Sequence, residues 1–204
     1  MMIRIFLIGM VLLLSAQLIA QRTDEVDFLK RLEEVNKTTQ SIVSDFRQVQ
    51  EFSFLDEKME STGKFYFMKP GVMKWDQTEP EKYSFVIKSD EAYKTDSHGT
   101  KKIPLNSPQI IGFRKFILET MDGSILTSPD YDSEVVLNAK TATINLIPKQ
   151  KTVRKMFGKV VLVFDQQSLM LRELSLYETE DDYRTMYFSN HKLNTLTDQA
   201  QFTK

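Results

Sequence analysis

Cysteine is absent from the 204 residues, and histidine occurs only twice. Without thiols no disulfide framework is available, so an exported fold would rest on its hydrophobic core alone. The same absence leaves no cysteine for lipid attachment. It also reduces any metal centre to carboxylates plus His98 and His191, which stand far apart in turn-like contexts at no zinc-binding spacing. Glycine is scarce, with 7 isolated residues; there is no Gly-rich phosphate loop and no G-x-S-x-G nucleophile elbow. We therefore expect no metal, no cofactor and no enzymatic activity. Neither charge sign prevails, with 27 Lys+Arg against 28 Asp+Glu and a net charge of −1. Such a balance gives no reason to expect a nucleic-acid partner.

Long apolar runs are also missing, except at the start. Ile5–Leu14 follows Arg4, and Ser15 and Gln17 interrupt the run before it reaches the ~20 residues of a spanning helix. A basic residue, a short apolar stretch and a small residue at Ala20 form a secretory-signal pattern. The expectation is a cleaved signal over residues 1–20 and one exported domain over residues 21–204.

The remaining sequence is patterned. From Asp24 to Asn36, Val26, Leu29 and Leu32, with Phe28 and Val35 beside them, recur near the helical period. From Ser41 to Phe54 the period becomes two, placing Ile42, Phe46, Phe52 and Phe54 on one face. A hairpin follows, with arms Lys64–Met68 and Val72–Trp75 turned by Pro70-Gly71 and loaded with Phe65, Tyr66, Phe67, Met68, Met73 and Trp75. Strands are expected again around Tyr83–Ile87 and Glu91–Thr95. Asn106-Ser107-Pro108 reads as a helix start and Asp122-Gly123 as its end, around the crowded apolar residues Ile110, Phe113, Phe116, Ile117, Leu118 and Met121. Strands resume at Tyr131–Leu137, Thr141–Ile147, Met156–Phe164, Leu169–Glu178 and Tyr183–Lys192. Roughly ten short consecutive strands predict a mainly β, antiparallel, meander-like sheet large enough to curl, with one helix ahead of it and an apolar helical insertion.

Three charged or polar motifs admit two readings each. Glu178, Glu180, Asp181 and Asp182 suit a solvated hairpin tip better than acid–base chemistry. Lys149, Lys151, Arg154 and Lys155 suit an exposed loop, or a docking patch for an acidic surface or anionic headgroups. Asn36-Lys37-Thr38 matches a glycosylation sequon, a pattern short enough to occur by chance.

The order of several motifs resembles the LolA family of outer-membrane lipoprotein carriers. They are Asp45-Phe46-Arg47-Gln48, Ser61-x-Gly63-x-Phe65-x-Phe67, Lys69-Pro70-Gly71-x-Met73-x-Trp75, Pro80, Phe85-Val86-Ile87-Lys88-Ser89-Asp90 with Tyr93-Lys94, and Leu146-Ile147-Pro148-Lys149. The resemblance implies an unclosed antiparallel β-barrel of ten to eleven strands, with an N-terminal helix and mid-chain lid helices over an apolar cavity for acyl chains. It implies a periplasmic, non-enzymatic carrier, expected as a monomer. Its expected partners are acylated lipoproteins, an inner-membrane ABC transporter of the Lol type, and the outer membrane or a receptor there such as LolB. LolB carries a lipidated cysteine, which this chain lacks. Another lipid or glycolipid as cargo, or a lipid-sensing regulatory role, remains open on the same fold.

On this resemblance the candidate cavity residues are Leu29, Leu32, Phe46, Phe65, Phe67, Met73, Trp75, Phe85 and Ile87, with Phe113, Phe116 and Ile117 from the lid. Each fits plain core packing equally well. The family commonly has Arg before the Pro-Gly hinge, bonded to the lid helices. Lys69 holds that position here, and lacks the planar fork of Arg.

Overall fold

Among the described residues eleven strands follow one another along the chain, and each pairs antiparallel with its neighbours in one sheet. They are β1 (Ser41–Glu51), β2 (Met59–Met68), β3 (Val72–Glu79), β4 (Tyr83–Ile87), β5 (Ala92–Asp96), β6 (Gly99–Ile103), β7 (Tyr131–Leu137), β8 (Thr141–Pro148), β9 (Lys159–Asp165), β10 (Leu171–Tyr177) and β11 (Tyr183–Leu193). The spatial order is β6-β5-β4-β3-β2-β1-β11-β10-β9-β8-β7. Pairing of β1 with β11 joins two meanders into one sheet, and β6 and β7 remain as edges, so the barrel is unclosed. This computed structural model describes residues 23–203. The expected signal over residues 1–20 lies outside them.

Helix α1 covers residues 23–38 and α2 covers Pro108–Asp122; α3 (Lys151–Arg154) is a single turn. Among the described residues no helix is long and apolar enough to cross a membrane. The expected signals for α2 are realised. Pro108 opens it, the Ser107 Oγ accepts a bond from the Ile110 N–H, and Gly123 closes it at φ 81°. Because α2 lies between β6 and β7 in sequence, it is also the connection between the two edges of the sheet.

One apolar cluster fills the space between the helices and one face of the sheet. Phe28 and Leu32 of α1, Phe116 and Ile117 of α2, and strand residues such as Phe67, Ile87, Ile144 and Leu162 are buried in it. A second, smaller cluster lies on the opposite face, where Val72, Val86 and Tyr93 pack against Phe202 of the C-terminal segment. The aromatic hairpin is therefore divided by its period of two. Phe65, Phe67, Met73 and Trp75 face the helices, while Tyr66 and Met68 face the C-terminal segment.

Three local expectations differ from the structure. Val26 is 65% exposed, because the buried stripe of α1 runs through Phe28, Leu32 and Val35 at i, i+4, i+7. Phe54 is 77% exposed, because β1 ends at Glu51 and the chain turns before Phe54 can continue its face. Met156–Gly158 belong to the turn after α3, where the Met156 and Phe157 N–H groups donate to the Val153 carbonyl.

Candidate functional site

Between α1, α2 and the helix-facing side of the sheet lies an apolar cavity of about 90 Å³. Phe113, Phe116, Ile117, Thr120 and Met121 of α2 form its roof. Val35, Asn36 and Thr39 close one side at the end of α1. Ile42 and Ser44 of β1, Phe65 of β2 and Trp75 of β3 form part of the floor. The rest of the floor comes from the second meander, through Phe164, Leu174, Leu176, Met186, Phe188 and His191. Leu169, Met170, Leu171 and Leu193 complete that wall.

Of the twelve candidates named from sequence, Phe65, Trp75, Phe113, Phe116 and Ile117 stand in the wall. Leu29, Leu32, Phe46, Phe67, Met73, Phe85 and Ile87 pack in the adjoining core. Several of these back the wall. The Phe46 ring stacks on Trp75 at 3.7 Å, and Phe85 meets Phe113 at 6.5 Å. Gly63, opposite Phe46, leaves room for that stack; a Cβ there would stand 2.8 Å from the Phe46 ring and 2.1 Å from the Asp76 carbonyl oxygen.

The wall supplied by β9–β11 was missed in sequence, and β-bulges explain part of the omission. On β11, Met186 and Phe188 point into the cavity, and so do His191 and Leu193. This change of parity needs one extra residue. The register supplies it, because Asp45 pairs with Ser189 and Val43 with Lys192, leaving Ser44 opposite both Asn190 and His191. Asn190 takes up the bulge at φ 53°, and its Nδ2 donates to Asp45 at 2.8 Å. His191 is therefore a strand residue aimed inward, not a turn residue. A register shift between Leu171 and Glu173 gives β10 the same change, turning Leu171, Leu174 and Leu176 inward.

Polar groups in the lining are few. The Thr39 and Thr120 hydroxyls donate to the carbonyls of Val35 and Phe116, each at 2.8 Å. The Nε2 of His191 is buried without a partner. Burial lowers the pKa of His191, and a hydrogen bond to the Leu171 backbone opposes that shift.

Lys69 ties the hinge to the end of α1. Its Nζ donates to the Asn36 carbonyl at 2.7 Å and to the Lys37 carbonyl at 3.3 Å, at the C-terminal end of α1 where carbonyls lack helical partners. Beside it Gly71, at φ 148°, lies against Leu118 of α2; a Cβ there would come 2.8 Å from Cδ2. The end of α2 reaches α1 at Gly123, where a Cβ would stand 3.0 Å from the Asn36 side chain. Hinge, α1 and α2 thus meet around Asn36.

The other motifs have structural partners. Asp182 accepts from the Ser53 N–H at 2.7 Å, and Glu178 pairs with Arg184 at 2.6 Å, so the acidic turn fastens neighbouring loops. Lys149 pairs with Asp132 and Arg154 donates to the Pro148 carbonyl, so half of the basic run is engaged. His98 is exposed beside Asp96. Among the described residues no three His, Cys, Asp or Glu side chains converge as metal ligands.

The sheet order, the helices over one face and the cavity between them agree with the sequence match. Residues 37–204 match the family described as outer membrane lipoprotein carrier protein LolA. The chain belongs to the LolA family. An uncharacterized conserved protein from Thermus thermophilus has a similar fold, with TM-score 0.54 and 12% identity over 89% of this chain and 93% of the other. In the Pseudomonas aeruginosa MucA/MucB complex, one chain matches with TM-score 0.50 and 16% identity, covering 89% of this chain and 61% of that one. A LolA superfamily protein of Nitrosomonas europaea is 14% identical, with TM-score 0.45 and coverage of 87% and 96%. No curated protein matches the sequence. The family is described as one of carrier proteins.

Proposed function

We propose that the protein is a periplasmic carrier that takes acylated lipoproteins from the inner membrane and delivers them to the outer membrane. The observation that carries this reading is the apolar cavity between the sheet and α2, in a chain of the LolA family. Burying one CH₂ is worth about 0.8 kcal/mol, so a sixteen-carbon chain costs on the order of 12 kcal/mol to hold naked in water. A carrier must offset that cost without binding so tightly that release stops.

The cavity of about 90 Å³ is below the roughly 300–1,000 Å³ usual for small-molecule sites, so admitting an acyl chain requires α2 to move outward. Floor residues such as Phe65 and Trp75 then exchange contacts with the roof for contacts with cargo. The backing residues Leu29, Leu32, Phe46, Phe67, Met73, Phe85 and Ile87 hold the wall in place or join it as the roof lifts. Lys69 regulates the movement through the end of α1. Residues 1–20 serve as the export signal and residues 21–204 act as one monomeric carrier domain. Its partners are an inner-membrane ABC transporter of the Lol type and an outer-membrane acceptor.

The test is extraction. Purified protein incubated with inner-membrane vesicles is expected to release acylated lipoproteins in a soluble complex. Failure with every lipoprotein tried overturns the reading, and a bound non-protein lipid from the native host replaces it with another cargo.

A further inference from the structure

His191 is the only titratable side chain in the lining of the cavity among the described residues. Its place there depends on a specific backbone device. Were β11 to run on without a bulge, the alternation set by Met186 and Phe188 would turn Asn190 inward and His191 to the opposite face of the sheet. Asp45 holds the bulge from that opposite side through Asn190.

An inward histidine in apolar surroundings costs stability unless both ring nitrogens are served. One is served by the Leu171 backbone, which supports the protonated nitrogen. Nε2 is the nitrogen buried without a partner, so we assign the Leu171 contact, and the ring proton of the neutral form, to Nδ1. A neutral imidazole that donates from Nδ1 presents a lone pair at Nε2. The hydroxyls of Thr39 and Thr120 cannot be counted on as donors to it, because both are bonded to their own helix carbonyls.

We propose that His191 recognises cargo by accepting, at Nε2, a hydrogen bond from a donor near the head of an acyl chain, either an amide N–H or a hydroxyl. The proposal rests on the carrier reading above and sharpens it. The cavity selects acylated molecules that carry a donor over those that offer hydrocarbon and acceptors alone. Apolar walls supply most of the affinity and little discrimination, whereas an unpaired acceptor in such walls rejects ligands that leave it unpaired.

Binding of three probes to the mature protein tests this: methyl palmitate, with no donor; N-methylpalmitamide, with one N–H in its place; and monopalmitoylglycerol, with hydroxyls. At neutral pH at least one donor-bearing probe is expected to bind about tenfold more tightly than methyl palmitate. The amide and hydroxyl arms show which donor the site reads. In His191→Phe, which keeps a ring and removes the acceptor, the preference for donor-bearing probes over methyl palmitate is expected to fall within about twofold. His191→Gln offers an amide oxygen as acceptor and is expected to keep part of the preference, so it serves if the Phe variant does not fold. Equal binding of all three by the wild type, or an unchanged preference in a folded His191→Phe protein, overturns the proposal and leaves the carrier reading standing. No binding of any probe by folded wild type counts against the carrier reading itself.

Discussion

The Nζ of Lys69 lies 2.7 Å from the Asn36 carbonyl oxygen, so the hinge between β2 and β3 is bonded to the last turn of α1. A lysine needs no planar fork for this role, because two helix-end carbonyls accept from one ammonium group. Lys69 thus links the hinge to α1.

Lys69→Leu removes both bonds and the positive charge at the helix C-terminus. The expected cost is about 1–2 kcal/mol in stability. Hydrogen exchange should speed up selectively in the last turn of α1 and in α2, and cargo release should change with it. Unchanged exchange at the end of α1 would remove Lys69 from lid control.

Thr120→Leu replaces a buried roof residue whose hydroxyl serves only its own helix. Leu has the higher helix propensity, and its larger apolar side chain points into the cavity. A stabilised, more tightly closed α2 is expected, with capture of a fluorescent fatty acid reduced several-fold and a Tm equal to or above wild type. Undiminished capture would show that the cavity volume next to Thr120 is not used.

Tyr93→Phe tests the cover on the far side of the sheet. The Tyr93 hydroxyl donates to the Phe202 carbonyl at 2.6 Å, within a fully buried contact. Leaving that carbonyl unpaired should cost about 1–3 kcal/mol. Limited proteolysis should then cut first within the C-terminal segment, whereas the cavity should bind as before. Resistance equal to wild type would mean that Phe202 is held by packing alone.

The helix, hairpin and turn signals were legible because each rests on neighbouring residues. Ser107 and Gly123 bound α2 through their own backbone geometry, and Pro70-Gly71 turns the hairpin wherever it sits. The pairing of β1 with β11 has no such local signal, since it joins residues about 140 apart in the chain. The floor supplied by Leu174, Met186 and Phe188 became cavity wall only through that pairing. His191 was less legible still. Reading its side correctly requires knowing that β11 gains a residue at Asn190, and nothing in the alternation of apolar side chains marks the place.

Acid should weaken the fold in two separate windows. The folded-state pKa of His191 lies below its ordinary value, so the unfolded chain binds the proton more readily. No penalty applies above about 6.5, and stability declines as pH falls below it. Asp45 also has a lowered pKa, chiefly through its bond with Lys64 and then with Asn190. Its contribution is present above the ordinary carboxylate value near 3.8 and is lost as pH falls further. Denaturant midpoints across pH should therefore fall in two steps. In His191→Phe the upper step should disappear and the lower one remain; an upper step of unchanged size would assign it to another group.

The two free edges of the sheet, β6 and β7, are joined in sequence through α2. One segment is therefore both door and strap. On the carrier reading, the length of the α2 connection limits how far the roof can lift from the sheet while it still joins both rims.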